Sequence, residues 1–257
     1  MQSLTRNGVK LCFAEAGSGD PPILLVHGWT CDHTYMAPQF EHFRRAHRVI
    51  AVDLRGHGQS DKPKQDYTMS AFADDLVWLC DQLKVKKPVV IGHSMGGVIA
   101  VELAARFPEV PGAAVTLDSP LVPPQELLEA VVPLRQALHG PNYREAQQQF
   151  VAEMLFLPTD NPERKARIVD AMSSAPQHVM ASAFAGTLCD TAASAAACKV
   201  PLLILMAAQP LSDVARLRQV CPTAIIGQTV GAGHFHQLEV PEQVNAMIDR
   251  FLTVSSS

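Results

Sequence analysis

The sequence predicts an α/β protein built on one mostly parallel sheet, and three observations carry that prediction. Short apolar runs at Ile23 to Val26, Val49 to Asp53, Val89 to Ile91, Ala113 to Leu117, Leu202 to Met206 and Ala224 to Val230 alternate with segments of helical period such as Ser70 to Leu83 and Met95 to Phe107. Runs that lack a polar alternation suit strands buried on both faces, which is what helices packed over a parallel sheet impose. The chain has 257 residues, 47% of them apolar, enough to bury a large core in one domain. Finally, the pentapeptide Gly92-His93-Ser94-Met95-Gly96 sits where a strand would hand over to a helix.

In chain order, Lys10 to Glu15, flanked by Gly8 and Gly17, reads as an antiparallel edge strand. Ile23 to Val26 is the first buried strand and runs into His27-Gly28-Trp29. The helix after Ser94 is apolar nearly all round, as expected for a helix central to the fold. Pro120 to Lys199 breaks the alternation: it holds no strand, and its helix candidates Gln125 to Leu138, Tyr143 to Phe156 and Glu163 to Met172 are punctuated by Pro141, Pro158, Pro162 and Pro176. The expectation is a core of residues 1–119 and 200–257 interrupted by a helical cap, 120–199. Its place after the strand ending near Leu117 would set it over the carboxyl ends of the strands, where open α/β sheets bind ligands. Phe150, Met154, Phe156, Met180 and Phe184 would form an apolar roof there, or would only pack the cap against itself.

A formal charge of −4, with no basic cluster longer than Lys86-Lys87 or Arg44-Arg45, argues against nucleic acid as a partner. The start, Met1 to Gly8, lacks the apolar stretch of a secretory signal, and no segment approaches the roughly 20 apolar residues of a membrane span. A cytoplasmic protein with no membrane partner is expected. Six scattered cysteines, without CxxC spacing, are expected to be reduced and mostly packed. Asp53-Leu-Arg-Gly-His57-Gly reads as a structural loop, and without HExxH or similar spacing no metal is expected.

The chemistry centres on Ser94. A serine between glycines at a strand-to-helix turn is held in a tight, strained backbone that lifts its hydroxyl above the sheet edge. Side chains at Gly92 and Gly96 would collide there. The hydroxyl is a poor nucleophile until a base takes its proton and a carboxylate orients that base. His234, in Gly231-Ala232-Gly233-His234 after the last strand, is the preferred base over His236, because its glycines let a loop carry the imidazole over the sheet. Asp118, ending the strand Ala113 to Leu117, and Asp213, seven residues past Met206, both satisfy the chain order serine, acid, histidine. Asp118 is preferred because it would emerge on the edge that carries Ser94; its other reading is a helix-capping aspartate. Two backbone amides complete the site: Met95, directly after the nucleophile, and Trp29, beyond Gly28, would form an oxyanion hole.

His27-Gly28-Trp29, Asp53-Leu-Arg-Gly-His-Gly-Gln-Ser-Asp61, Gly92-His-Ser-Met-Gly-Gly97 and Gly233-His234, in that order, resemble the α/β-hydrolase superfamily over nearly the whole chain. The resemblance implies an eight-stranded, mostly parallel sheet with a cap, and a serine triad that needs no cofactor or metal. Many members carry the acid just after the penultimate strand, where this chain has Ala207-Ala208-Gln209-Pro210; others carry it one strand earlier, at the position of Asp118. A narrower similarity, in Gly28-Trp29-Thr30-Cys31-Asp32-His33 and Ala208-Gln209-Pro210, is to cofactor-free dioxygenases that open 3-hydroxy-4-quinolone rings with a histidine-aspartate pair. Cys31 and Met95 stand where that pattern has histidines. The expected function is hydrolysis of a small or medium carboxylic ester or lactone through an acyl-enzyme, with a small-molecule substrate and His234-Asp118 dioxygenase chemistry as the alternative.

Overall fold

The computed structural model describes residues 1–187 and 191–255. Eight strands form one sheet: β1 (Gln2–Arg6), β2 (Val9–Ala16), β3 (Ile23–Val26), β4 (Val49–Asp53), β5 (Val89–His93), β6 (Ala113–Leu117), β7 (Leu202–Met206) and β8 (Ile225–Gln228). Their spatial order is β1-β2-β4-β3-β5-β6-β7-β8. β1 and β2 pair antiparallel, β2 meets β4 antiparallel, and β4 through β8 run parallel.

The period of two along each strand sorts side chains to the two faces. Ile23, Leu25, Val49, Ala51, Val89, Ile91, Val115 and Leu205 join one core, and Leu24, Val26, Ile50, Val52, Val90, Ala114 and Ile204 join the other. The first core is closed by α1 (Ala37–Phe43) through Phe43 and by the C-terminal helix (Pro241–Ser255) through Val244, Ile248 and Phe251. The second is closed by α2 (Met69–Gln82) and α3 (Met95–Arg106). Phe72, Leu76, Val98, Ile99 and Leu103 are at most 1% exposed, and each such side chain contributes roughly 1.5–3 kcal/mol of burial.

Among the described residues, six helices lie between β6 and β7: α4 (Gln125–Ala130), α5 (Val132–Ala137), α6 (Tyr143–Met154), α7 (Pro162–Ser173), α8 (Gln177–Thr187) and α9 (Thr191–Ala197). After β7 come α10 (Val214–Val220), the short α11 (His236–Glu239) and the C-terminal helix, α12. Several expected elements are redrawn. The single helix expected over 125–138 is two, because Pro133 near the start of α5 has no N–H to give the preceding turn. The expected edge strand is the second one in; β1, whose side chains are mostly exposed, forms the true edge. The last strand is shorter than 224–230, and α11 precedes the helix that starts at Pro241. Cys12, Cys31, Cys80, Cys198 and Cys221 are all free thiols, all but Cys198 buried; Cys189 lies outside the described residues. No helix among the described residues is long and apolar enough to cross a membrane.

Candidate active site

The strand order reverses between β3 and β5, and this switch leaves a crevice beyond their carboxyl ends. Gly28 and Trp29 enter it from β3, Ser94 from β5, Asp118 from β6, and His234 from the loop after β8.

Ser94 has φ 53° and ψ −118°, a conformation that strains a residue with a Cβ. The surroundings fix it there. Its N–H donates to the Leu117 carbonyl at 2.9 Å, extending the β5–β6 pairing by one bond, while its own carbonyl accepts from Gly97 at 3.0 Å and Val98 at 3.3 Å to start α3. The turn is so tight that a Cβ at Gly92 would lie 2.1 Å from the Gly96 carbonyl oxygen, and one at Gly96 would lie 2.3 Å from that of Val26. Both collisions are with backbone, which cannot swing aside. At the first position of α3, the Met95 N–H has no carbonyl one turn back to receive it.

His234 and Asp118 come together in the interior. His234 Nδ1 lies 2.7 Å from Asp118 Oδ2, with the two side chains 5% and 1% exposed. A carboxylate accepts, so Nδ1 is the donating nitrogen of this pair, and in a neutral imidazole Nε2 carries the lone pair. The second oxygen, Asp118 Oδ1, accepts from the Ala207 N–H at 3.1 Å, and the Asp118 N–H donates to Leu205 at 2.7 Å. Asp118 is thus held at φ 43° by bonds to β7, not by capping a helix. Asp213 is elsewhere: it is exposed and caps α10, its carboxylate accepting from the Arg216 N–H at 3.0 Å.

His93, not singled out as a working residue by sequence, ties the site together. Its Nε2–H donates to the His234 carbonyl at 3.0 Å, its ring lies 4.6 Å from that of His234, and its Nδ1 is 3.1 Å from where a Gly28 Cβ would stand. Burial, reinforced by the neighbouring His234, pushes the His93 imidazole well below its ordinary pKa of 6.5, so it stays neutral. His236 is fully buried, hydrogen-bonded to Thr229 Oγ1 at 3.0 Å, and pushed down to about 4 by burial; it does not line the cavity. His27 accepts from the Leu54 N–H at 3.1 Å and pairs through Nδ1 with the Gly28 carbonyl at 2.8 Å, stiffening the turn after β3.

Ser94, His234, Gly28 and Trp29 border one cavity of about 720 Å³, counted to its open mouth. Its far side comes from the helices between β6 and β7, including Leu127, Val131, Phe150, Met154 and Phe184. Two members of the expected roof are displaced. Phe156 stacks on Phe235 at 5.2 Å, and Met180 is packed in the core, where its carbonyl accepts the Trp29 indole N–H at 3.0 Å. Phe235 and Leu211, which carry no local sequence signal, join the lining.

The loop at Asp53 is structural in its bonding. Asp53 Oδ1 accepts from the His33 N–H and meets His33 Nδ1, both at 2.8 Å, and Oδ2 accepts from the Gln59 N–H at 2.8 Å. Burial works to raise the Asp53 pKa, but these partners outweigh it and hold the carboxyl at about 2. Asp32, close enough to form a cluster with them, spends its Oδ1 on Thr34.

The model of a family described as alpha/beta hydrolase fold matches residues 21–166, more than half of the chain. Among solved structures, a thermophilic esterase from Thermogutta terrifontis is 27% identical with a TM-score of 0.87, over 100% of both chains. The enol-lactonase from Burkholderia xenovorans LB400 is 26% identical with a TM-score of 0.85, over 98% of this chain and 100% of that one. A protein described as an N-acyl homoserine lactone degrading enzyme is 28% identical with a TM-score of 0.85, over 97% and 100%. An uncharacterized protein of Mycobacterium tuberculosis is 39% identical over 117 residues, which span 43% of this chain and about a third, 32%, of that relative. The chain belongs to the α/β-hydrolase fold family.

Proposed function

We propose that the protein is a serine hydrolase of small or medium carboxylic esters or lactones, working through an acyl-enzyme. The observation that carries this reading is the buried 2.7 Å pairing of His234 Nδ1 with Asp118 Oδ2 behind a cavity that Ser94 also borders. In this mechanism His234 Nε2 takes the Ser94 proton as Oγ attacks the carbonyl carbon, and Asp118 stabilises the imidazolium that results. The Met95 and Trp29 amides donate to the oxyanion. The imidazolium then protonates the leaving alcohol, and a water activated by the same base releases the acid. For a lactone the alcohol stays tethered to the acyl group throughout, and the last step releases a single hydroxy acid.

Residues 120–199 serve in this proposal as a cap on a core of 1–119 and 200–257, setting the shape of the cavity and shielding the oxyanion from bulk water. The esterase and lactonase descriptions of the similar structures agree with this chemistry. Turnover of a graded p-nitrophenyl ester and lactone panel tests it: Ser94→Ala or His234→Ala should each lower kcat on the order of 10⁶. Near-full activity of Ser94→Ala would end the proposal. Oxygen uptake with a 3-hydroxy-4-quinolone that survives Ser94→Ala would replace it with the dioxygenase reading.

A further inference from the structure

The cavity beside Ser94 is unusual in what it omits. Among the described residues no lysine, arginine, aspartate or glutamate borders it, and its ionisable groups are Cys31, His93 and His234. Burial pushes the Cys31 thiol up and the His93 imidazole down, so both stay neutral. Part of the cavity wall is an aromatic corner. The Trp29 ring lies 4.8 Å from Phe184 and 6.5 Å from Phe150, and these two phenyl rings are 5.9 Å apart. Trp29 presents carbon there, because its indole N–H is spent on the Met180 carbonyl. A carboxylate in such a space would lose its water with nothing to replace it, whereas methylene and phenyl groups would exchange water for carbon.

We propose that this site selects an uncharged substrate whose acyl part is apolar, packed against Trp29, Phe150 and Phe184, and that it rejects acyl groups bearing a carboxylate. This rests on the reading of Ser94 as the nucleophile. The cavity encloses about 720 Å³ of non-protein space, open solvent at its mouth included. Within that space each added methylene should raise kcat/KM roughly fourfold until the corner is filled.

Three matched esters separate charge from size: p-nitrophenyl hexanoate, mono-p-nitrophenyl adipate, and its methyl ester, methyl p-nitrophenyl adipate. At pH 7.5 or so, with the free carboxyl ionised, kcat/KM for the methyl ester should exceed that for the monoanion by about 100-fold or more. A ratio within about threefold would overturn the inference. Met154, 44% exposed at the border of the cavity, offers a place for a cation that the fold should tolerate. Met154→Lys should narrow the ratio by about tenfold; an unchanged ratio in this folded variant would count against charge as the cause and overturn the inference. Fluorophosphonate labelling distinguishes the two levels of failure. Labelled Ser94 without turnover of the hexanoate overturns the substrate class alone, and absence of labelling overturns the hydrolase reading together with it.

Discussion

Replacing Asp118 by asparagine changes one atom and should cost the protein nearly all of its catalysis. Asp118 accepts two hydrogen bonds, from Ala207 N–H at 3.1 Å and from His234 Nδ1 at 2.7 Å, and both are buried. Asparagine has one oxygen to offer. Turned toward Ala207, it presents its NH₂ to His234, so Nδ1 must accept and the ring proton moves to Nε2, where it blocks proton transfer from Ser94. Turned the other way, its NH₂ confronts the Ala207 N–H in the interior, a mismatch of about 1–3 kcal/mol. The first orientation wins. On the proposed mechanism kcat then falls on the order of 10⁴, or about 5.5 kcal/mol of barrier, with the fold intact.

Asp213 is the matched control, because its carboxylate caps α10 through the Arg216 N–H at 3.0 Å. Asparagine caps as well as aspartate, so Asp213→Asn should leave kcat within about twofold, and Asp213→Ala should cost about 1 kcal/mol of stability without loss of turnover. Ester hydrolysis measured beside urea denaturation reads both effects. A large loss in Asp213→Asn with little in Asp118→Asn would refute the argument.

Gly96→Ala drives a Cβ to 2.3 Å from the Val26 carbonyl oxygen and 2.6 Å from that of His27, so it should cost about 3 kcal/mol or more in urea denaturation; a stability within about 0.5 kcal/mol of the parent would contradict the turn geometry. Trp29→Phe removes the indole bond to Met180 and part of the aromatic corner, and should destabilise the protein by about 1–2 kcal/mol. His57 and His236 are held by burial at about 3 and about 4, below their ordinary 6.5. The unfolded chain therefore binds more protons than the folded one between those values. Stability should fall as pH drops below about 6.5, by up to about 1.4 kcal/mol per pH unit for each histidine, and continue falling toward pH 4. Denaturation midpoints that stay level from pH 6.5 to pH 4.5 would contradict that burial.

What was legible in the sequence follows from how local each signal is. The turn at Ser94 could be read because its glycines, the strand before it and the helix after it are contiguous, and the steric reason for Gly92 and Gly96 operates within a few residues and the neighbouring β3 end. The five fully buried strands, β3 to β7, could be read because double burial leaves an uninterrupted apolar run. Gln2 to Arg6 could not, since a strand at the sheet edge with exposed side chains looks like any polar segment. The choice between Asp118 and Asp213 stayed open for a related reason. Both sit at element ends, and only the pairing of β6 with β7 carries one of them to a histidine 116 residues away. His93 shows the same limit: its neighbours in sequence announce a turn, while its bond to the His234 carbonyl spans 141 residues. Packing, not pattern, also sent Phe156 to Phe235 and away from the cavity.

The proposed mechanism makes Ser94 a nucleophile activated by His234. A fluorophosphonate reacts covalently with a serine activated in this way and leaves a mass that survives digestion. One adduct should form, mapped to the peptide carrying Ser94, in step with loss of esterase activity and reduced to background in Ser94→Ala and His234→Ala. Full esterase activity in protein that carries no adduct on Ser94 would contradict it.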